Sequence, residues 1–228
     1  MSLFDNMPQA QGRSASTQDG FAFPQSLTER YRPHSLSEFV GLDKVKKVLT
    51  NFAAKPFPNA AFLFVGPSGV GKTSVGIALC EMLRGELHHI PSQQCNVANV
   101  EDVVRQCHYV PKNGTFHVIL VDEADQMSKA AQLALLSKLD ATAFPPSTVF
   151  VFTCNSTDGL EPRFLSRCME LKFQSHGIAS DAATLLERIW LQEVGETADR
   201  PDFLRIVQSS KNNVRDAMNS LQVELLSA

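Results

Sequence analysis

Three short stretches in the middle of the chain are apolar at every position rather than at every second one: Phe62-Leu63-Phe64-Val65, Val118-Ile119-Leu120-Val121 and Val149-Phe150-Val151-Phe152. Runs of that length and character predict strands covered on both faces, the habit of a parallel sheet between helices. Glu86 to Pro91 and Met169 to Phe173 read as two further strands. Apolar positions at helical spacing fall between them. Val45, Val48, Leu49 and Phe52 follow Asp43 as a cap and are closed by Pro56 and Pro58, and Val75 to Leu83 form a second helix. Val100, Val103, Val104 and Cys107 mark another, Leu133, Leu136 and Leu139 a fourth, and Pro162 opens a short one. From about residue 176 only the helical period remains. Ile178, Ala182, Leu185, Leu186, Ile189 and Trp190 form one stripe, Pro201 starts a helix through Phe203, Ile206 and Val207, and Val214, Met218, Leu221 and Leu225 form a third stripe. The pattern predicts an α/β domain over residues 26–175 and a small helical domain over 176–228.

Residues 1–25 show no sustained period despite Phe4, Phe21 and Phe23, and predict a mobile tail. From Leu27 to Gly41 the chain reads as a strap, with Pro33 holding Arg32 extended and Ser37 capping a short turn. The 228 residues are 43% hydrophobic and 20% charged, enough for a substantial core. A net charge of −3 means that any contact with nucleic acid is local or shared among subunits. Five cysteines with no Cys-x-x-Cys pair suggest neither a disulfide framework nor a zinc module, and fit a reducing interior. His88 and His89 are strand neighbours on opposite faces and cannot chelate one ion together. No apolar run approaches the roughly 20 residues that span a bilayer, and the N-terminus lacks the pattern of a secretory signal.

Chemistry enters where the first strand breaks into Gly66-Pro67-Ser68-Gly69-Val70-Gly71-Lys72-Thr73-Ser74. The spacing Gly-x-x-x-x-Gly-Lys-Thr, after a strand and before a helix, is that of a phosphate-binding loop whose inward N–H groups and helix dipole favour a polyphosphate. Lys72 would reach the β- and γ-phosphates and the Thr73 hydroxyl would ligate Mg²⁺. The strand from His117 ends in Asp122-Glu123-Ala124-Asp125, placing carboxylates at the tip where open α/β sheets bind ligands. Asp122 would hold Mg²⁺ through its water shell, and Glu123 would orient the attacking water. Asn155, at the tip of the next strand, is suited to the γ-phosphate or that water. Arg167 is poorly placed for its own loop but suited to reach a neighbour.

Together these motifs resemble the AAA+ ATPases of the sliding-clamp loader group, over about residues 27–225. Glu29-Arg30-Tyr31-Arg32-Pro33 with Val40-Gly41 is similar to the group's N-terminal signature, Asp122-Glu123-Ala124-Asp125 to its Walker B box, Asn155 to sensor 1 and Ser166-Arg167-Cys168 to its Ser-Arg-Cys motif. The helix at Asn213-Val214-Arg215-Asp216-Ala217-Met218-Asn219 looks like sensor 2. The resemblance implies a P-loop RecA-like sheet with a helical lid and ATP and Mg²⁺ in the cleft between them. Arg32, Val40 and Gly41 would lie near the adenine, Arg215 would touch the γ-phosphate, and Arg167 would act in trans as an arginine finger, a device worth ~10³ to 10⁵ in rate. It also implies partners: other AAA+ subunits in a homo- or hetero-oligomer, a five-subunit arc, a sliding clamp and primer-template DNA, with no membrane. DNA phosphates would meet Gln93, Gln94, Asn96 and Asn99, with Arg105 and Lys112 supplying charge. The location would be cytoplasmic in a bacterium or phage and nuclear in a eukaryote. Three departures stand out: Asn212-Asn213 where the group has Gly, no zinc-binding cysteines of the bacterial loaders, and an end at Ala228 where loaders continue into a collar, as in a fragment or a different assembly. The rival readings are an AAA+ enzyme of DNA repair or recombination and a nucleotide-gated interaction module with little turnover.

Overall fold

The computed structural model describes residues 25–56, 59–112, 114–175, 177–195 and 199–227; the tail with Phe4, Phe21 and Phe23, and also Pro58, lies outside them. Five strands, β1 (Asn59–Val65), β2 (Gly85–Pro91), β3 (Phe116–Asp122), β4 (Thr148–Cys154) and β5 (Met169–Lys172), form one sheet in the order β2-β3-β4-β1-β5. Every pairing is parallel. The unbroken apolar runs are explained by what lies on each face. Phe62, Phe64, Val118, Leu120, Val149 and Val151 point toward helices α2 (Asp43–Ala54) and α3 (Lys72–Met82). Their alternates Ala61, Leu63, Ile119, Val121, Phe150 and Phe152 face α4 (Val97–Gln106), α5 (Lys129–Lys138) and α6 (Pro162–Leu165). With both faces buried, none of the three central strands β1, β3 and β4 has reason to alternate.

A third core belongs to α7 (Ala179–Val194), α8 (Phe203–Ser209) and α9 (Val214–Ser227). Leu27, from the short helix α1 (Leu27–Arg30), is buried in it, and Tyr31 packs against it. The strap therefore opens as a helical turn lying on the lid. Its Leu27 N–H donates to Gln222 Oε1 (3.2 Å), while Arg30 and the Tyr31 hydroxyl both donate to Glu193, each at 2.6 Å.

Several local expectations shift. Asp43 is not a cap but the first residue of α2: Gly41 (φ 62°) and Leu42 (φ 60°) are both left-handed and turn the chain into the helix. Its carboxylate then sits at the positive end of the dipole. Val48 and Leu133 fall on exposed sides of their helices, and Leu135 fills the place expected for Leu133. Ser37 lies inside the 3-10 turn Leu36–Glu38; Ser35 precedes it and donates to Glu38. Asp202, not Pro201, begins α8, because its side chain accepts the Arg205 N–H (2.9 Å). No described helix is long and apolar enough to cross a membrane.

Candidate nucleotide site

The loop between β1 and α3 stands at the C-terminal edge of the sheet. Gly69 (φ 78°) and Gly71 (φ 89°) adopt left-handed backbone there, and a Cβ at Gly69 would stand 2.0 Å from Asn213 Oδ1. Gly66 is confined differently, since a Cβ would meet the Phe173 carbonyl oxygen at 2.3 Å. Lys72 begins α3 with its side chain folded back into the loop. Its Nζ donates to the carbonyls of Gly66 (2.7 Å) and Pro67 (2.8 Å) and to Asn155 Oδ1 (3.0 Å). All three ammonium donors are thereby used. Burial draws the Lys72 pKa below its ordinary value, with Asp125 and Asp122 opposing that shift and Arg215 adding to it. An arriving anion would relieve that cost.

The acids converge from β3. Val121 pairs with Phe152, so Asp122 and Thr153 follow side by side. Asp122 Oδ1 accepts from the hydroxyls of Thr73 (2.7 Å) and Thr153 (2.8 Å), and its Oδ2 lies 3.2 Å from His89 Nε2. Glu123 is left-handed (φ 51°), and its N–H donates to Thr153 Oγ1 at 3.0 Å. A bulky residue in that backbone region is strained, which the surrounding bonds must hold in place. Asp125 Oδ2 accepts the Asn155 N–H at 3.4 Å, while its Oδ1 is buried without a hydrogen-bond partner.

Two adjoining cavities complete the site. One, of about 330 Å³, is lined by Lys72, Thr73, Asp122, Glu123, Asn155 and Arg215. The other, of about 250 Å³, runs between strap and lid past Arg32, Val40, Leu185, Val214 and Met218. Arg32, Gly69, Gly71, Ser74 and Arg215 border both. The first gathers acids and cations, as a phosphate end requires, and the second sets apolar Val40, Leu185, Val214 and Met218 beside the polar Arg32 and Arg215, as a base end allows. The donor set fits a triphosphate with a hard divalent cation: a three-donor ammonium, a guanidinium, turned glycine amides, and hydroxyl and carboxylate oxygens from Thr73 and Asp122. Within the loop, Val70 is buried and the Ser68 carbonyl accepts from Asn213 Nδ2 (3.2 Å).

Other expected residues lie elsewhere. Gly41 borders a separate cavity and lies against Ile178, whose Cγ2 would be 2.5 Å from a Cβ there. Close packing, not contact with the nucleotide cavities, accounts for that glycine. Arg167 lines neither cavity and instead pairs with Asp140 (2.7 Å) on the surface. Of the candidate DNA residues, Asn96 caps α4 by accepting from Asn99 N–H (3.0 Å), and the Asn99 amide donates to the Gln94 carbonyl (2.7 Å). Those two amides hold their own turn. Gln93, Gln94 and Lys112 are exposed, and Arg105 pairs with Asp102. His88 and His89 do face apart: one meets His117, the other Asp122.

Sequence reasoning missed Thr153, His89 and Asn213. Asn213 joins lid to loop through Ser68 and also accepts the Asp216 N–H (3.3 Å) at the start of α9. The turn before it uses left-handed Lys211 (φ 53°) and Asn212 (φ 59°), so it forms without glycine.

Residues 62–175 match the family described as "ATPase family associated with various cellular activities (AAA)". The chain belongs to this family. Among curated relatives it is similar to the replication factor C small subunits of Thermoplasma acidophilum (30% identical, 86% of this chain and 62% of the relative) and Thermoplasma volcanium (32% identical, with the same coverage). This agrees with the clamp-loader kinship that the motifs imply. The AAA chain described here spans 62% of those relatives' length. In fold it is similar to the Thermotoga maritima RuvB Holliday junction branch migration motor (TM-score 0.70, 20% identity, 84% of this chain and 64% of that one).

Proposed function

We propose that the chain is an ATP-hydrolysing subunit of a sliding-clamp loader, working with other AAA+ subunits to place a clamp on primer-template DNA. The observation that carries this is the gathering of Lys72, Thr73, Asp122, Glu123, Asn155 and Arg215 on one cavity while Arg167 stands outside it. When bound, ATP supplies the phosphoryl group to be transferred, and Mg²⁺ offsets its charge. Thr73 and Asp122 would hold the cation. Lys72, already desolvated, would exchange its carbonyl partners for phosphate oxygens, and Asn155 beside it would orient the water. Glu123 would accept that water's proton, its carboxylate kept at the cavity by the bond from its own N–H to Thr153. Arg215 would bring the lid onto the phosphates, so that nucleotide binding and lid position are coupled. Arg167 would serve the next subunit's site. The relatives' name supports the loader setting, and the exposed residues at the start of α4 remain the proposed contact with DNA phosphates.

The test is Glu123→Gln in the full chain with partner subunits. Turnover should fall by about 10²- to 10⁴-fold, the range of a lost general base, while ATP-analogue affinity is retained. Retained turnover would remove Glu123 from the chemistry. Arg167→Ala should lower activity only where subunits are assembled, and an equal loss in an isolated monomer would exclude a role in trans.

A further inference from the structure

At the opposite end of the sheet, the period of β2 puts Glu86 and His88 on the side that faces α4. Register sets His117 of β3 directly beside Glu86. Cys107 follows the last turn of α4 and is fully buried over the same spot, as is His117, which is 2% exposed. His88 Nε2 and His117 Nδ1 are 2.9 Å apart. The ligating atoms of His88, Cys107 and His117 all lie within 4.8 Å of one another. Glu86 Oε2 is 3.9 Å from His117 Nδ1, so a carboxylate flanks the cluster on the His117 side.

We propose that His88 Nε2, His117 Nδ1, Cys107 Sγ and the Glu86 carboxylate form a tetrahedral zinc site. At zinc–nitrogen and zinc–sulfur bonds of about 2.0–2.1 and 2.3 Å, tetrahedral edges are roughly 3.3 to 3.6 Å, so shifts of about an ångström bring the His88, Cys107 and His117 atoms onto one ion, with Glu86 approaching from the His117 side. The outer shell is already built. His117 Nε2 lies 2.9 Å from the Tyr109 carbonyl oxygen, and a carbonyl can only accept; the ring proton is therefore on Nε2, and Nδ1 turns its lone pair inward. The Lys112 N–H donates to Glu86 Oε2 (2.8 Å) and fixes the carboxylate in the same way. Two imidazoles and a thiolate favour zinc over magnesium, which requires oxygen ligands. On binding, the Cys107 thiol loses its proton to solvent, and the proton now shared from His88 to His117 moves to His88 Nδ1. One proton leaves per ion. The ion would clip the end of α4 and the chain through Tyr109 to the edge strand, about 16 Å along β3 from Asp122. It therefore serves the frame and is separate from the nucleotide cation.

The test is a Co²⁺ titration of the chelator-treated full chain in excess Mg²⁺, which occupies oxygen-rich sites. One equivalent should produce tetrahedral d–d bands and a thiolate-to-cobalt charge-transfer band, both displaced by Zn²⁺. Cys107→Ser should lose the charge-transfer band. His88→Gln, at a half-buried edge position, should weaken Zn²⁺ binding by more than the about 10–100-fold typical of losing an outer-shell partner. It should also abolish the rise in unfolding midpoint that Zn²⁺ gives the parent. No thiolate band, a band that survives Cys107→Ser, or unchanged binding in His88→Gln would overturn the site and leave a plain hydrogen-bond chain.

Discussion

Thr153→Val removes one hydroxyl and almost no volume, and it separates the geometry of the acids from their presence. The side chain is 2% exposed, and its oxygen stands between Asp122 Oδ1 (2.8 Å, donating) and Glu123 N–H (3.0 Å, accepting). A hydrogen bond to a charged group contributes about 1.5–3 kcal/mol, and a buried N–H left unpaired costs about 1–3 kcal/mol. The adjoining cavity lets water meet part of that need. A net loss of about 2 kcal/mol follows, which lowers the melting midpoint of a chain this size by roughly 4–8 °C. Asp122 keeps the Thr73 hydroxyl and His89, so its hold on the cation should change little. Glu123 fares worse. Its left-handed backbone carries about 1–3 kcal/mol of strain and is tied down by the bond being removed. A carboxylate displaced by about 1 Å costs on the order of 10²-fold in rate, so kcat should drop about 10- to 100-fold with KM for ATP nearly constant. Single-turnover hydrolysis alongside thermal melts measures both, and Thr153→Ser, which restores the hydroxyl, should recover the rate. A variant that melts early yet keeps kcat within about twofold would refute the claim that this hydroxyl positions Glu123.

Three further outcomes follow from the same contacts. Glu193 binds the strap to the lid, and its bonds from Tyr31 and then Arg30 hold its carboxyl below the ordinary 4.5. Its stabilising share is present above that value and lost as pH falls through the lower folded one, so Glu193→Gln should cost about 1–2 kcal/mol at neutral pH and flatten the acid limb of the melting profile. Asn213→Ala removes both the start of α9 and the tie to Ser68; melts should show a loss of about 0.5–2 kcal/mol, and stopped-flow binding a faster release of nucleotide analogue. Gly66→Ala places a methyl against the backbone oxygen of Phe173, so the loop must shift, at a cost of about 1–3 kcal/mol and with weakened ATP-analogue binding by calorimetry. An unchanged melt for that variant would contradict the stated crowding.

The residues legible in the sequence are those whose chemistry is local. A loop of Gly-x-x-x-x-Gly-Lys-Thr carries its own turn, its own donors and the helix behind it, and acids at a strand tip need only the strand to be placed. Thr153, by contrast, reads as an ordinary β-branched strand residue, because nothing nearby in sequence says that Asp122 will stand beside it. The pairing of Val121 with Phe152 says so, and that pairing depends on β4 lying next to β3. The helical turn that opens the strap is hidden for a similar reason: Leu27 has no periodic neighbours to reveal that its burial lies among helices about 155–195 residues later. His88 and His117 make the point most sharply. Considered with His89 alone, His88 has no partner for a metal, since a strand turns its neighbours apart; considered across β2 and β3, it meets a second imidazole and a thiol. Strand order thus creates donor sets that chain order conceals, and it does so at both ends of this sheet: at Asp122 beneath the nucleotide cavity and at His117 under the end of α4.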